Sequence, residues 1–382
     1  MTVLGTLIAV LAISQSGPQK ATLPNGAVIY AESMDGAKGF ALHLFVSAMG
    51  AKEQDGQQGF RHLLEHLVAK GRSRDLAAKL ESRGLTLTAD TLRDGIRFEI
   101  EGASQDVAFA IAALDELLTL RDIQQEEIDK EVRIIGQERP TRSNAARLAS
   151  GLWKQAFGES DLIGTDAEIA KATPELLKKA HAELFRPESM AVAIVGDIDR
   201  PECMKALAAL IGPLAQKGPA TKVVRTVIEQ TREGVVPDAH GAGRAVAIGS
   251  MSRAESLAVI AAGLSIANEI PGAQLVFTPT AIGGLVCLVH PTRQGFDDLD
   301  RLVTSESARL YTSGIVALRL WAQTADELPR EKARMFGQML SAESYFRTED
   351  LKTRAAQVSQ SDFVAALQRL RTRQSVRVGG VR

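Results

Sequence analysis

Residues 59–69 read Gly-Phe-Arg-His-Leu-Leu-Glu-His-Leu-Val-Ala, and this stretch holds a tightly spaced set of potential metal ligands. Its pattern predicts a helix whose leucines pack against a core. His62 and His66 are four residues apart, so both imidazoles project from one helix face and can reach the same ion. Glu65 lies at the edge of that face, where a carboxylate can contact a water molecule at the metal without displacing it. The spacing therefore predicts a zinc site with Glu65 as a general base.

A catalytic zinc site needs a third protein ligand and one open position. Residues 123–138 are amphipathic and predict a second helix, which we expect to end before Pro140. Glu131 and Glu138 lie two turns apart on one face of this helix, and either carboxylate could reach the ion. The competing interpretation is a surface helix with solvated histidines. The HxxEH pattern favours the metal site, because chance produces it in fewer than about one in a hundred such chains.

The composition argues against several classes of function. The chain has 382 residues, of which 45% are hydrophobic, which is enough for two domains with separate cores. A net charge of −1 gives no electrostatic footprint for nucleic acid or for an anionic membrane. The only two cysteines, Cys203 and Cys287, are typical of core thiols rather than of a disulfide framework or a metal pair.

The N-terminal residues have the pattern of an export signal. Residues 3–13 form an apolar run, and small and polar residues follow at 14–18. The run is too short to span a membrane but suits the hydrophobic region of a secretory signal, which we place at residues 1–17. We therefore expect a secreted or periplasmic protein without a membrane span in its mature form. The alternative is a buried first strand or helix, in which case the protein would be cytoplasmic.

Two parts of the chain share an order of elements. Thr173 caps a predicted helix that leads into a strand over residues 190–195, and Ser359 begins a helix that leads into a strand over residues 375–378. This agreement predicts a duplicated α+β domain, in which each half is an antiparallel-rich mixed sheet packed with helices. We predict a first domain over 18–211, a Gly- and Pro-rich linker over 212–222, and a second domain over 223–382.

The motif and its surroundings resemble the pitrilysin family, which is also called the insulinase family. HxxEH is the inverted zinc motif of that family, and Glu131 and Glu138 match its later E-x6-E, whose second glutamate binds zinc. Residues 84–91 are similar to the family's G-x-x-x-N-A-x-T, with Thr88 where Asn is usual. Further matches are the Asn25-Gly26 turn, Gly50 and Glu53 ahead of the motif, and residues 185–197 at the end of the first half.

The resemblance implies two homologous pitrilysin-like domains and a zinc endopeptidase that cuts extended peptides or unfolded polypeptide. It assigns one Zn²⁺ per chain to His62, His66 and Glu138, with Glu65 as the base that activates water. Glu131 joins the catalytic residues because it would hydrogen-bond a ligand histidine. These assignments single out Glu138 over Glu131 as the third ligand.

The resemblance also implies where a substrate binds. In this family a peptide adds as a β-strand to an edge strand beside the zinc, which here corresponds to residues 85–91. Thr88, Ala89 and Thr91 are then the substrate-binding residues. An unpaired edge also has a simpler explanation, since many sheets end at one.

The second half departs from the family. Active members carry an Arg followed seven positions later by a Tyr, and the pair contacts the scissile carbonyl and stabilises the oxyanion. No tyrosine of this chain has an arginine seven positions before it, and residues 266–289, where the pair belongs, are shortened. The metal half of the site is therefore present in the sequence and the oxyanion half is missing.

Three interpretations remain open. The chain is a peptidase subunit of a heterodimer whose homologous partner carries R-x6-Y, or a non-catalytic assembly or binding subunit that keeps its zinc. In the third interpretation it is a solitary peptidase with another oxyanion donor, such as a backbone N–H or an arginine. The presence of Glu65 argues against the non-catalytic interpretation, because a structural zinc site needs no general base.

Overall fold

The computed structural model describes residues 19–120, 122–218, 234–249, 251–280, 283–294, 307–341, 351–371 and 376–380. The predicted signal at 1–17 and the last four residues of the predicted linker lie outside these ranges. The described chain forms two mixed β-sheets with helices packed on them, which confirms the predicted α+β fold class. Among the described helices, none is both long and apolar enough to cross a membrane.

The first sheet has six strands. They are β1 Gln19–Thr22, β2 Val28–Ser33, β3 Gly39–Ser47, β4 Thr86–Leu92, β5 Gly95–Ala103 and β6 Met190–Gly196. Their order in the sheet is β1–β2–β6–β3–β5–β4. Only β2 and β6 run parallel, and the other neighbours are antiparallel. Within the described residues β4 pairs with β5 alone, so it is an edge strand, as predicted for residues 85–91.

Eight helices belong to the first half of the sequence. They are α1 Phe60–Ala69, α2 Leu76–Glu81, α3 Val107–Leu118, α4 Gln125–Thr141, α5 Asn144–Phe157, α6 Asp166–Ile169, α7 Pro174–Leu184 and α8 Arg200–Ile211. Thr173 caps α7 by accepting a hydrogen bond from the Leu176 N–H, and Pro174 occupies the first turn, where its missing N–H costs nothing. Apolar residues of α1, α3, α7 and α8 form one core with the first sheet.

Helix α4 is longer than the sequence predicts, because it continues through Pro140 to Thr141. Proline normally ends a helix, since it lacks an N–H and its ring clashes with the carbonyl four residues earlier. Side chains supply hydrogen bonds to the last turn instead. Thr141 Oγ1 donates to the Glu138 carbonyl at 2.7 Å, and Arg147 Nη2 donates to the Pro140 carbonyl at 2.6 Å. Glu138 therefore lies within the helix rather than at its end.

The second sheet repeats the topology of the first. Its strands are β7 Gly234–Val236, β8 Ala242–Ala247, β9 Gln274–Thr280, β10 Gly283–His290 and β11 Val376–Gly380. They lie in the order β7–β11–β8–β10–β9, which corresponds strand for strand to β2–β6–β3–β5–β4. In the first sheet β6 lies between β2 and β3, parallel to β2 and antiparallel to β3. In the second sheet β11 lies in the same way between β7 and β8, parallel to β7 and antiparallel to β8.

The described helices of the second half build a second core on one face of this sheet. They are α9 Arg253–Glu269, α10 Ser307–Glu327, α11 Pro329–Ser341, α12 Leu351–Ala355 and α13 Gln360–Arg371. Helix α9 is buried along most of its length between the sheet and helices α10 and α13. A capping box of Ser252 and Glu255 fixes its first turn.

The two halves exchange one helix each. Helix α5 comes from the first half but packs on the second sheet, where Leu148, Leu152 and Trp153 join Leu285 and Val289 in a separate core. Helix α11 comes from the second half but packs on β3 and β6 of the first sheet. The predicted division at residues 212–222 therefore does not separate two independently packed units, and the domain limits stay a prediction.

Candidate metal centre

Helix α1 places three potential ligands together. Atoms of His62, Glu65 and His66 that could bind a metal all lie within 4.8 Å of one another. The helix begins after Gly59, and the Glu53 carboxylate accepts from the N–H groups of Gly59 at 3.0 Å and Arg61 at 2.7 Å. The negative charge of this carboxylate at the N-terminus of α1 also interacts favourably with the helix dipole. The buried leucines of α1 fix its rotation, so the histidines face away from the core.

Helix α4 brings Glu138 to the two histidines. The Nε2 atoms of His62 and His66 lie 3.3 Å apart. The Glu138 carboxylate approaches both of them, with Oε2 at 3.5 Å from His62 Nε2 and Oε1 at 3.5 Å from His66 Nε2. Ligands bound tetrahedrally to zinc at about 2.0–2.2 Å are separated by roughly 3.3–3.5 Å. The three side chains therefore have the spacing that a zinc ion requires.

Glu131 contacts the far side of His66. Its Oε2 lies 3.2 Å from His66 Nδ1, and Lys70 forms an ion pair with its other oxygen. This arrangement leaves His66 Nε2 directed at the metal position, since the ring donates its Nδ1 proton to the carboxylate. Burial opposes a charge on Glu131, but the hydrogen bonds from His66 and Lys70 lower its pKa overall.

Burial keeps His62, one of the predicted zinc ligands, neutral. Desolvation and then the charge of His66 lower the pKa of His62 to about 4. Its Nδ1 is buried and has no hydrogen-bond partner among the described residues. For His66 burial also opposes a charge, but the hydrogen bond with Glu131 and the charge of Glu138 raise its pKa. A neutral imidazole is the form that binds zinc, so His62 is ready for a metal over a wide pH range.

Glu65 is held by the edge strand. Thr91 Oγ1, on β4, donates to Glu65 Oε2 at 2.5 Å, and the carboxylate is only 9% exposed. Burial raises the pKa of Glu65 more than the hydrogen bond from Thr91 lowers it. A carboxylate with a raised pKa is suited to accept and return a proton near neutral pH.

The three residues predicted to bind substrate all lie on β4 but differ in orientation. Ala89 packs against the core of the first half, and Thr91 faces α1 through its bond to Glu65. Thr88 lies on the other face, where its Oγ1 is 3.4 Å from Glu99 Oε2. The side chains of Ala89 and Thr91 therefore point inward. A peptide bound at β4 would hydrogen-bond mainly to the backbone of this edge strand.

The second half brings neither an arginine nor a tyrosine to the region where the family's pair belongs. Residues 266–289 form the end of α9, a short turn, β9 and β10, apart from residues 281–282, which lie outside the described ranges. Their sequence contains no Arg or Tyr. A cavity of about 240 Å³ lies between the end of β4 and β9, and Thr91, Arg142, Trp153 and Phe277 contribute to its wall.

Sequence reasoning missed Lys70 and Arg61. Lys70 follows His66 by one helical turn, a spacing that could have suggested a partner for Glu131. Arg61 is buried next to His62, and its guanidinium contacts only backbone carbonyls. Nothing in the local pattern distinguishes it from an exposed arginine.

Comparison with known proteins agrees with this geometry. Residues 28–165 match the profile described as "Insulinase (Peptidase family M16)". The chain is 25% identical over 333 residues to the mitochondrial-processing peptidase subunit beta of Blastocladiella emersonii, covering 77% of this chain and 71% of that protein. It is 22% identical over 204 residues to an uncharacterized zinc protease of Rickettsia bellii, covering 51% of this chain and 50% of that protein. Residues 28–165 are thus similar to the insulinase, or pitrilysin, family of peptidases, and the relatives named here support that relation.

Solved structures share the fold across nearly the whole chain. A protease from Helicobacter pylori superposes with a TM-score of 0.76 at 16% identity, covering 95% of this chain and 98% of that one. The first half of the periplasmic protease PqqL from Escherichia coli gives 0.66 at 16% identity, with coverage of 95% and 92%. A structure described as a peptidase M16 inactive domain from Pseudomonas fluorescens gives 0.75 at 17% identity, with coverage of 96% and 98%. These likenesses establish the fold.

Proposed function

We propose that this chain is a zinc endopeptidase subunit that cleaves extended peptides or unfolded polypeptide together with a homologous partner. The observation that carries the proposal is the 3.3–3.5 Å triangle of His62 Nε2, His66 Nε2 and the Glu138 carboxylate. A hydrolytic zinc site requires three neutral or anionic donors at corners of a tetrahedron around the ion and a general base such as Glu65 beside them.

The residues of the chain divide the chemistry between them. His62, His66 and Glu138 would hold the zinc, which supplies Lewis acidity and lowers the pKa of a nearby water molecule. Glu65 takes a proton from the attacking water and returns it to the departing amine. Thr91 orients the Glu65 carboxylate through its hydrogen bond, and Glu131 fixes the ring of His66.

A peptide would bind as an added strand on β4. The free backbone edge of β4 runs past Thr91, which touches Glu65, so a strand paired there passes beside the metal position. Backbone hydrogen bonds depend little on the side chains of the peptide. Binding by strand addition therefore favours unfolded or extended substrates of many sequences. Thr88, Ala89 and Thr91 would then position the substrate mainly through the backbone of their strand.

The proposed partner supplies the oxyanion donors. The charges of Arg142 and Arg139 act on His62, but Arg142 forms an ion pair with Asp161 and Arg139 with Asp166. Both arginines are thus engaged elsewhere, which supports a donor from another chain over a solitary peptidase. The relative named mitochondrial-processing peptidase subunit beta is itself described as one subunit of a peptidase, which supports the same proposal.

A non-catalytic assembly or binding subunit is the second candidate. The missing Arg/Tyr pair favours it, and the Pseudomonas fluorescens neighbour is described as an inactive domain. The contact of Glu65 with Thr91 favours catalysis, since a zinc site that only supports the fold does not require a positioned general base. We also propose a secreted or periplasmic location, supported by the apolar run at residues 3–13 and by the periplasmic neighbour.

The test is a peptidase assay on the zinc-loaded chain, alone and with a homologue that carries R-x6-Y but no HxxEH. We expect about one zinc per chain and slow cleavage of an unfolded peptide without the partner. Addition of the partner should raise the rate by about 10²- to 10³-fold, the usual value of one oxyanion donor, and a chelator should abolish it. Equal rates with and without the partner would reject the split site. Zinc binding without cleavage under either condition would favour the non-catalytic subunit.

A further inference from the structure

Arg61 is a buried cation whose guanidinium contacts backbone carbonyls. Its side chain is 7% exposed. Nη1 donates to the carbonyls of Leu92 at 3.3 Å and Arg93 at 3.0 Å, and Nη2 donates to the carbonyl of Ala51 at 3.1 Å. No carboxylate of the described chain pairs with this guanidinium. The charge is therefore satisfied by peptide dipoles from two separate segments of the chain.

Two of the three carbonyls that Arg61 binds, those of Leu92 and Arg93, belong to the turn that ends β4. Leu92 is the last residue of β4, and Arg93 begins the turn to β5. A second contact holds the same turn, because Asp94 Oδ1 accepts from the Gly50 N–H at 2.6 Å and the Asp94 carbonyl accepts from the Ala48 N–H at 2.7 Å. The turn is thus tied both to the segment before α1 and to α1 itself.

Arg61 precedes His62 on α1, so it connects the two elements that the reaction must bring together. Helix α1 carries His62, His66 and Glu65, and β4 is the edge on which a peptide would lie. The only other side-chain hydrogen bond between α1 and β4 in the described structure joins Glu65 to Thr91. A shift of β4 along α1 would move a bound peptide relative to the metal position and would also release Glu65.

We propose that Arg61 is a positioning residue that holds the edge strand β4 in register with the helix that carries the metal ligands and the base. The inference rests on the proposed peptidase function. Arginine suits this role because its planar fork presents donors in fixed directions and can bridge two segments at once. Lysine offers one nitrogen and would reach only one of them. The guanidinium hydrogen-bonds peptide carbonyls at the end of β4 and in the segment before α1, so Arg61 would act through the placement of β4 rather than on the metal or the substrate.

The test compares Arg61→Met and Arg61→Lys with the wild-type zinc-loaded chain and its partner. Loss of the guanidinium should lower kcat by about 10²-fold, as small misplacements of reacting groups do, while the zinc affinity stays within about threefold. Hydrogen exchange of the amides at 86–95 should quicken by at least tenfold. Arg61→Lys should fall between Arg61→Met and the wild type in both measurements. If Arg61→Met does not fold, the same comparison is made with Arg61→Lys alone.

Arg186→Met is the matched control. Its guanidinium also donates to two backbone carbonyls, those of Lys217 at 3.0 Å and Gly218 at 2.5 Å, and it pairs in addition with the Glu188 carboxylate. None of these partners lies on α1 or β4. We expect this variant to keep kcat and the exchange rates at 86–95. Unchanged kcat and exchange in Arg61→Met would overturn the proposal, as would losses no larger than those of Arg186→Met.

The exchange measurement also separates this inference from the proposed function. A chain that binds zinc but cleaves nothing rejects the peptidase, yet faster exchange at 86–95 in Arg61→Met would still support the positioning of β4. If the chain cleaves peptides but exchange at 86–95 is equally slow in Arg61→Met and the wild type, the role of Arg61 is rejected and the proposed function stands.

Discussion

His62 and Glu65 sit in the same small, desolvated space and respond to it in opposite directions. Burial lowers the pKa of His62 and raises the pKa of Glu65, so in each residue the charged form is the one disfavoured. A bound dication would reverse the balance for the carboxylates, because it stabilises anionic groups and neutral imidazoles together. The neutral form of His62 is the one that a metal ion would bind, and a bound dication would lower the pKa of Glu65 again.

The two glutamates of α4 should differ in their effect on zinc affinity. Glu138→Ala removes a carboxylate that approaches both histidines at 3.5 Å, and leaves two ligands. Glu131→Ala removes the carboxylate that contacts His66 Nδ1 and Lys70 but leaves the three predicted ligands, and it should weaken zinc binding by about 10- to 100-fold. Competition with a chelating dye measures both affinities. A larger loss for Glu131→Ala than for Glu138→Ala would mean that the roles are exchanged.

Glu65→Gln should separate metal binding from turnover. The amide keeps the size of the side chain and can still accept from Thr91, so zinc should remain bound. Without a base the rate should fall by about 10² to 10⁴-fold. Zinc content and peptide cleavage are measured on the same preparation, with the exposed Glu126→Gln as the control. Full activity of Glu65→Gln would assign the proton transfer to another group.

The local part of this site could be predicted from the sequence, and the long-range part could not. The spacing of His62, Glu65 and His66 is a property of one helix, and the separation of Glu131 and Glu138 by seven positions places both on one face of another. The contact of Thr91 with Glu65 joins residues 26 positions apart through the packing of β4 on α1. The roles of these residues remain predictions until zinc binding is measured.

Helix α5 shows why element packing is harder to predict than element type. Its apolar side is evident from the sequence, and it buries Leu148, Leu152, Trp153 and Ala156. An amphipathic pattern states that one face is covered but does not state what covers it. The sequence predicted two similar halves correctly, since the order of the last helix and strand in each is local. It could not predict that each half lends a helix to the other.

Leu152→Ala tests the packing of α5 on the second sheet. Leu152 is fully buried, and loss of such a leucine typically costs about 2–5 kcal/mol. Because its contacts lie in the second sheet, hydrogen exchange should quicken at the amides of β8, β10 and β11. Leu320→Ala, at a leucine of α10 that is 62% exposed, is the control and should leave the melting temperature unchanged. Faster exchange confined to the first sheet would contradict this packing.

A buried charge network joins the two halves of the molecule. Glu99 of β5 is fully buried and receives hydrogen bonds from Arg330 and Arg334 of α11, each at 3.0 Å. His43 lies 3.6 Å from the same carboxylate. Removing one partner of such a network leaves a charge buried without compensation, so these residues should resist substitution.

The network should make the molecule sensitive to acid. Burial lowers the pKa of His43 to about 3, whereas its unfolded value is 6.5. The unfolded chain therefore takes up this proton first, and stability falls as the pH drops from 6.5 towards 3, by up to about 1.4 kcal/mol per pH unit. His43→Gln should show a smaller loss of melting temperature between pH 6.5 and 4.5 than the wild type. The exposed His240→Gln is the control, and equal losses in all three proteins would contradict the prediction.

Glu99 adds a second, more acidic window. Burial opposes its charge, but the hydrogen bond from Arg334 and the neighbouring cations lower its pKa to about 2 from 4.5. Its contribution to stability is present above pH 4.5 and is lost as the pH falls towards 2. The two windows overlap only below pH 4.5, which is why the comparison with His43→Gln is made above it.

A cut in the linker should leave the halves together. Helices α5 and α11 cross between them, so the two pieces share two hydrophobic cores and the Glu99 network. We expect a chain with a protease site inserted at residues 212–222 to elute as one species after cleavage. Denaturing gels confirm the cut, and size-exclusion chromatography in native buffer gives the result. Separation into two peaks would show that the halves pack independently.

The exchange of helices has a consequence for synthesis on the ribosome. Helix α5 is complete at residue 157, but strand β11, which its buried face contacts, ends at residue 380. At roughly 5–20 residues per second the nascent chain needs about 10–45 s to cover that distance. During this interval the sheet that covers Leu148, Leu152 and Trp153 is incomplete. The core around α5 is therefore completed only after β11 has been made, and a chain that stops before β11 exposes an apolar face that chaperones would have to shield.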